Sequence, residues 1–324
     1  MKKISCKNLR SKALATATLA LASSVVPTFA AAPMAKTNAL GFFRMMLGNF
    51  EVTVINDGTV DLPVDTLLMG TTPAKVNEAL TKSFLKSPLE TSDNTFLINT
   101  GDKLVLVDTG AGSLFGPTLG KFLSNLKASG YQPEQIDEIY ITHMHPDHVG
   151  GLSANGQRVF PNATVRADKR EADYWLSQAN MDKAPEAKKG FFQGAMSSLS
   201  PYVSAGKFKP FDGNGELAAG IRSYAENGHT PGHNTYIVES QNQRLVLIGD
   251  LIHVAAVQFD NPSITMSFDS EQATAEKARK TEFANAAKSG DLLGGAHLQF
   301  PGLGHVKSQG KGYQWIPVNY TQLR

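Results

Sequence analysis

Apolar and polar positions alternate cleanly from Phe50 to Ile55, the period of a half-buried strand. Two short apolar runs, Thr95 to Asn99 and Leu104 to Val107, flank Gly101-Asp102 and predict a hairpin. The second run ends in Asp108-Thr109-Gly110. The period then changes. Leu119, Phe122, Leu123 and Leu126 share one helical face, with Pro117 in the first turn and Gly130 as a stop. Further strands are expected at Ile139 to Thr142, Val159 to Arg166, Ile221 to Ala225, Asn234 to Glu239 and Leu245 to Ile248. Lys169 to Gln178 predicts a helix, and Ser270 a cap for a long one from Glu271 to Lys288 that Gly290 ends. Residues 179–215 break the pattern with Pro185, Gly190, Pro201 and Pro210, and suggest a lid or connector anchored by Phe191, Phe192 and Met196. Two sets of strands, each mingled with helices, imply α/β layers with sheets covered by helices.

The first thirty residues obey a different rule. Lys2, Lys3, Lys7, Arg10 and Lys12 precede an alanine-rich apolar stretch, Ala13 to Val26, and Thr28-Phe29-Ala30 offers a cleavage site. This is a secretory signal pattern, so the expected location is secreted or periplasmic. The stretch is short for a bilayer span, so no stable membrane insertion is expected. Residues 31–48 are expected to form an N-terminal arm, whose Phe42, Phe43, Met45 and Met46 would dock on a core or on a second copy in a homodimer. The main folded domain is then expected over 49–324.

Removing the signal changes the charge. The remainder has 26 Lys and Arg against 29 Asp and Glu, a net charge of −3. No basic tract is left to suggest nucleic acid. Cys6, the one cysteine, leaves with the signal, so any transition-metal site must use histidine and carboxylate.

The chemistry concentrates in Thr142-His143-Met144-His145-Pro146-Asp147-His148-Val149-Gly150-Gly151. His143 and His145 are two apart at the end of an apolar strand and point the same way. Pro146 stops the strand and turns the chain, aiming Asp147 and His148 at a neighbouring position. Burying four such groups is costly without a cation. Other candidates also follow apolar runs: His229 and His233 in Gly228-His229-Thr230-Pro231-Gly232-His233, Asp250 after Gly249, and His297 after Ala296. Strand, ligand, then loop is how a sheet edge gathers ligands from distant sequence.

HxHxDH, then GHTPGH, GD and AH, is a series that resembles the metallo-β-lactamase superfamily. More narrowly, the chain is similar to the methyl-parathion hydrolase group and its relatives that hydrolyse aryl lactones such as dihydrocoumarin. Phe96 to Gly110, Tyr131 to Gly151 and Pro301 to Arg324 carry the narrower likeness. The resemblance implies a four-layered αββα sandwich with two divalent metal ions at one edge. Zinc is the expected pair; manganese, cobalt or iron would also suit the donors. By resemblance, His143, His145 and His229 hold one ion, Asp147, His148 and His297 the other, and Asp250 bridges them. His233 is expected to support the site structurally. Asp108 either supports a ligand by a hydrogen bond or is simply the turn residue before Gly110.

The implied mechanism needs no serine or cysteine nucleophile. Two cations roughly 3.5–4 Å apart lower the pKa of a shared water, and Asp147 and Asp250 orient the resulting hydroxide. By resemblance, Phe115, Trp175 and Phe191 form an aromatic wall, while Leu67, Leu68, His253, Met266 and Phe268 lie near the mouth. Such a pocket favours a small, neutral aryl substrate. The chain departs from the organophosphate-specialised pattern, which has arginine at the position of Leu68, leucines at His253 and Phe268, and one residue more before Gly190. Those departures favour aryl lactones or esters, with phosphotriesters as a weak side activity. Methyl-parathion hydrolysis as the main activity is the first alternative. A glyoxalase II-like thioesterase would need a basic pocket for its anionic substrate. A sulfur dioxygenase would not need the second ligand set, a β-lactamase fits the compartment but not the narrower likeness, and a nuclease would not carry −3. A non-enzymatic secreted metal-binding protein would be expected to have lost a ligand.

Overall fold

The computed structural model describes residue 32 and residues 34–323. Residues 1–30, where an export signal is expected, lie outside the described residues. One compact unit spans Ala39–Arg324. Its strands in chain order are β1 (Phe42–Leu47), β2 (Phe50–Leu62), β3 (Leu89–Asn99), β4 (Leu104–Val107), β5 (Glu138–Tyr140) and β6 (Thr164–Arg166). There follow β7 (Gly215–Ala218), β8 (Ile221–Ala225), β9 (Asn234–Ser240), β10 (Gln243–Leu247), β11 (Leu292–Gly294), β12 (Leu303–Gln309) and β13 (Gly312–Pro317). The larger helices are α1 (Pro73–Lys82), α2 (Phe122–Ala128), α3 (Lys169–Trp175), α4 (Glu186–Ser204) and α5 (Gln272–Ser289).

The first six strands form one sheet in chain order, and the last seven form a second, also in chain order. Strand alternation divides the core into layers. Leu104 and Leu106 point to a cluster shared with Phe122, Leu126, Phe192 and Leu199 of α2 and α4. Val105 and Val107 point the other way, against Tyr236, Val238, Leu245 and Leu247 of the second sheet. On that sheet's far face, Val246, Ile248 and Leu293 pack against Phe283 and Ala286 of α5. The order is therefore helix, sheet, sheet, helix, the αββα arrangement expected.

Several boundaries differ from the sequence reading. Phe42 to Leu47 is not a loose arm; it is an edge strand in full antiparallel register with β2. Phe43 and Met45 pack against the inter-sheet core, and Leu47 is buried in it. The compact unit accordingly begins near residue 39, ten residues before the expected boundary. The helix expected from Pro117 starts only at Phe122. The buried Asp57 carboxylate decides this, accepting from the backbone N–H of Ala111, Gly120 and Phe122 at 2.7–2.9 Å. That carboxylate satisfies the first turn of α2 and ties down the loop before it. The expected strand from Val159 shrinks to Thr164–Arg166.

The irregular stretch is largely helical. Gln178–Lys183 forms a short helix and α4 runs for 19 residues with Pro201 inside it. Phe192, Ala195, Leu199 and Tyr202 give α4 a buried face, and this packing outweighs the weak local propensity. Ser270 does not cap α5; its N–H donates to His229 O, tying the helix entry to a histidine loop. Gly290 ends α5 in the left-handed conformation, as expected. Among the described residues, no helix is long and apolar enough to cross a membrane.

Candidate metal centre

β4, β5 and β6 pair in parallel, as do β10 and β11. Chemistry-bearing residues follow the carboxyl ends of four of these strands: Asp108 after β4, His143 after β5, Asp250 after β10 and His297 after β11. Parallel strands leave their carboxyl ends at one edge, where loops converge. Pro146 opens a one-turn helix, Pro146–Val149, which carries Asp147 and His148. Close backbone approach locks this turn in place. A Cβ on Gly150 would meet Ala111 O at 2.0 Å, and one on Gly151 would meet Thr109 O at 2.0 Å. Thr109 N–H donates to His148 O at 2.9 Å across the same seam.

Seven residues named from the sequence come together here. One group of donor atoms belongs to His143, His145, His229 and Asp250, and a second to Asp147, His148 and His297. Within each group the donors lie within 4.8 Å of one another. Asp250 faces both groups. Its Oδ2 is 3.5 Å from His143 Nε2 and 3.2 Å from His229 Nε2. Its Oδ1 is 3.3 Å from His148 Nε2 and 3.2 Å from His297 Nε2. His145 presents Nδ1, 3.1 Å from His229 Nε2.

The donor set fits a pair of divalent cations. His143 Nε2, His148 Nε2 and Asp250 Oδ1 are buried and have no hydrogen-bond partner. Leaving such atoms unpaired costs about 1–3 kcal/mol each, and a cation removes that cost. Protons alone divide unevenly among these groups. Burial, then His148, holds His143 well below the usual imidazole range. Burial, then His229, does the same to His145. Burial also opposes charge on His229, yet Asp250 and Asp269 lift it to about 9. His297 reaches about 9 against the same opposition through Asp250 and Asp147. Burial would raise Asp250, but His297, His148 and His143 outweigh it and hold the carboxyl well below its usual range.

The far nitrogen of several rings is fixed. His148 Nδ1 lies 2.9 Å from Asp108 Oδ2, while Thr142 donates to both Asp108 oxygens at 2.7 and 2.8 Å. Asp108 is therefore a hydrogen-bonding support, not merely a turn residue, although its φ of 60° serves the turn as well. His297 Nδ1 donates to Ser92 O at 3.0 Å, and His143 Nδ1 meets Thr142 Oγ1 at 3.1 Å. His233 stands outside the donor groups. Its Nε2 accepts from the Asp250 N–H at 3.1 Å and its Nδ1 donates to Glu226 O at 3.2 Å. Accepting at Nε2 requires a neutral ring, and burial, then His229, pushes its pKa down to about 3.

Two supports escaped the sequence reading. Asp269 lies 2.8 Å from His229 Nδ1 and also accepts from Met266 N–H at 2.9 Å. Glu171 joins the two histidine loops, accepting from Met144 N–H and Gly232 N–H at 2.8 Å each. Each is a lone acid in an unremarkable local pattern, and only the fold brings it to the histidines.

A cavity of about 500 Å³, counting its mouth, opens onto the centre. Its polar end is His145, Asp147, Asp250, His253 and His297; its walls are Val60, Leu62, Phe115, Leu119, Phe191 and Phe268. Of the expected pocket residues, Phe115, Phe191, His253 and Phe268 are in place. Trp175 is not in the wall; it lies buried behind His145, 5.3 Å between ring centroids, and packs on Tyr174 and Phe192. Leu67, Leu68 and Met266 also miss the cavity. Leu68 pairs with Met266 in a two-residue antiparallel ladder, and both are buried in a separate cluster that Leu67 packs against. Val60, Leu62 and Leu119 take their place, from the end of the long β2 and from the Asp57-tethered loop.

Comparison with known proteins agrees with this geometry. The metallo-beta-lactamase superfamily model matches residues 90–288. The chain belongs to this superfamily. The superfamily's sequence relatives include an N-acyl homoserine lactonase of a Bacillus species, 26% identical over 206 residues, covering 58% of this chain and 74% of the relative. Among solved structures, the hydrolase AbOPH of the beta lactamase superfamily is 39% identical, with a TM-score of 0.84 over 88% of this chain and all of that one. AidC, a dizinc quorum-quenching lactonase solved with N-hexanoyl-L-homoserine as product, is 28% identical, with a TM-score of 0.81 over 87% of this chain and 99% of its own. The chain is thus a superfamily hydrolase with lactonase homologues and a histidine–aspartate cluster suited to two divalent metals.

Proposed function

We propose that this protein is a dinuclear metal-dependent lactonase that acts best on neutral aryl lactones and esters, with phosphotriesters as poor substrates. The supporting observation is the cavity: aromatic and aliphatic walls, no lysine or arginine in its lining, and a histidine–aspartate centre at its end. A bound pair of divalent ions supplies Lewis acidity, which activates a water and polarises the carbonyl under attack. The chain's own residues do the rest. Phe115, Phe191 and Phe268 take a flat ring and exclude solvent. Asp147 and Asp250, the carboxylates at the polar end, accept hydrogen bonds from the attacking water and orient it. His143, His145, His148, His229 and His297, together with the same two carboxylates, would hold the ions.

The lining bears on the rivals. A thioesterase for an anionic glutathione conjugate would need cations in this lining. Leu68 does not line the cavity and so does not bear on phosphotriesters directly; His253 and Phe268 do line it, and their bulk disfavours a tetrahedral phosphorus with two alkoxy arms. A second reading, an N-acyl homoserine lactone as substrate, draws support from the likeness to AidC. The same apolar walls would take a short acyl chain.

The deciding experiment compares kcat/KM for dihydrocoumarin, N-hexanoyl homoserine lactone and methyl parathion on protein of known metal content, before and after chelation. The expected order is dihydrocoumarin first and methyl parathion last, with all turnover lost on chelation. Preference for the homoserine lactone would install the second reading. Preference for methyl parathion would sink the lactonase assignment.

A further inference from the structure

We infer that His253 is an additional metal ligand, an eighth donor that closes one of the positions facing the cavity. It is 3% exposed and yet lines the cavity's polar end. Its Nε2 is 3.1 Å from Asp250 Oδ2. His229, an expected ligand, stands 3.2 Å from the same oxygen. The donors of Asp250, His253 and His297 form a third group within the same 4.8 Å limit as the other two. The His253 and His297 rings stack, with centroids 5.0 Å apart and planes 18° from parallel.

The loop is built to hold this ring. The N–H groups of His253 and Val254 both donate to the buried Gln258 Oε1 at 2.9 Å, and Gln258 Nε2 donates to Ile264 O at 3.0 Å. Hydrogen bonding alone leaves the ring unsatisfied. His253 Nδ1 is buried without a partner. With the proton on Nε2, Nδ1 is a bare buried acceptor. With the proton on Nδ1, the Nε2 lone pair faces a carboxylate oxygen at 3.1 Å, two acceptors in opposition. A cation between Nε2 and Asp250 removes the second defect.

The missing partner at Nδ1 also sets the strength of the contact. His148, His229 and His297 each have a far nitrogen anchored within 3.0 Å. Ligands without such an anchor bind more weakly. His253 is therefore a weakly anchored, exchangeable donor. It would give the ion near His297 one protein donor more than Asp147, His148, His297 and Asp250 supply, which suits metals that favour higher coordination numbers.

The test uses the full chain loaded with cobalt(II), as wild type, His253→Gln and His253→Leu. Glutamine keeps a donor for Asp250 without the imidazole; leucine keeps bulk alone. Metal content, the cobalt visible spectrum and competition with a chelator are read on each, and far-ultraviolet circular dichroism establishes folding. Both variants are expected to bind two ions at saturating cobalt, with the weaker ion's affinity down about tenfold. Their visible bands should change in intensity as the coordination number falls. Unchanged spectrum and affinity in both variants would overturn the assignment. So would a glutamine variant that matches wild type while leucine does not, since His253 would then only hydrogen-bond Asp250. Should leucine fail to fold, glutamine alone decides. These readouts need no substrate, so a wrong choice of lactone leaves them standing; wild type holding fewer than two ions would overturn both the centre and this ligand.

Discussion

The floor and the mouth of the site are built differently. On the floor, His143, His148 and His229 lie beneath the cavity lining, and each far nitrogen is within 3.1 Å of a polar partner. The partners are held in turn: Asp108 by Thr142, Asp269 by Met266 N–H. At the mouth, Phe115 and Leu114 remain partly exposed, on a loop tethered at its base by Asp57. Phe268 lines the cavity and packs on the cluster around Leu68 and Met266. Chemistry is thus over-determined by a hydrogen-bonded shell, while selection rests on apolar side chains that make no hydrogen bond to that shell. Changes at the mouth should retune the substrate and spare the metals; changes beneath the floor should do the reverse.

The sharpest way to break this contrast is Asp108→Asn. Asparagine has the same shape and tolerates the positive φ found there. It withdraws the negative charge from His148 Nδ1. Metal affinity should fall roughly 10–100-fold, measured by chelator competition, and activity at limiting metal should fall with it. The relative preference among lactone substrates should stay unchanged. Wild-type affinity in this variant would mean that the shell is packing only.

Phe268→Leu tests the other side and should have a smaller effect. It introduces the residue of the organophosphate-specialised pattern at a wall position. Methyl parathion turnover relative to dihydrocoumarin should rise by roughly tenfold, within the range that a change of apolar volume in a pocket commands. Metal content and chelator resistance should match wild type. Loss of an ion would show that floor and mouth are coupled.

Legibility in the sequence follows the same division. His143, His145, Asp147 and His148 share one short segment, and His229, Asp250 and His297 each follow an apolar run, so local pattern reaches all seven. The continuous apolar runs Leu104–Val107 and Leu245–Ile248 mark strands buried on both faces, so covered sheets were legible; the αββα order itself came from the resemblance to the superfamily. The supports were not legible. Asp57, Glu171 and Asp269 are acids in unremarkable local patterns, and the partners that make them supports, such as Phe122, Met144 and His229, lie 27 to 65 residues away. The mouth was read only in part. Leu68 and Met266 are consumed by a ladder with each other, and Val60 reaches the wall only because β2 extends well beyond the alternating stretch. The helix at Glu186–Ser204 was hidden by Gly190 and Pro201, whose local signals its packing overrides.

The floor's support also contains one weak place, and it provides the mildest test. Glu226 lends its backbone carbonyl to His233, which holds the Asp250 N–H. Its side chain is buried with one oxygen unpartnered. Burial first, and then Glu282, raises its pKa well above the usual carboxyl value of 4.5. An acid raised on folding costs no stability while protonated in both states, below about pH 4.5; the cost appears as pH rises from there towards the folded-state pKa. Glu226→Gln removes that cost without touching the carbonyl. Its Tm should exceed wild type by roughly 2–4 °C near pH 8, and the gain should vanish near pH 4. Metal content should not change, because the contact with His233 is made by the backbone. A gain of equal size at both pH values would show that the carboxyl's ionisation is not the cost. A loss of metal would show that this side chain belongs to the floor's support after all.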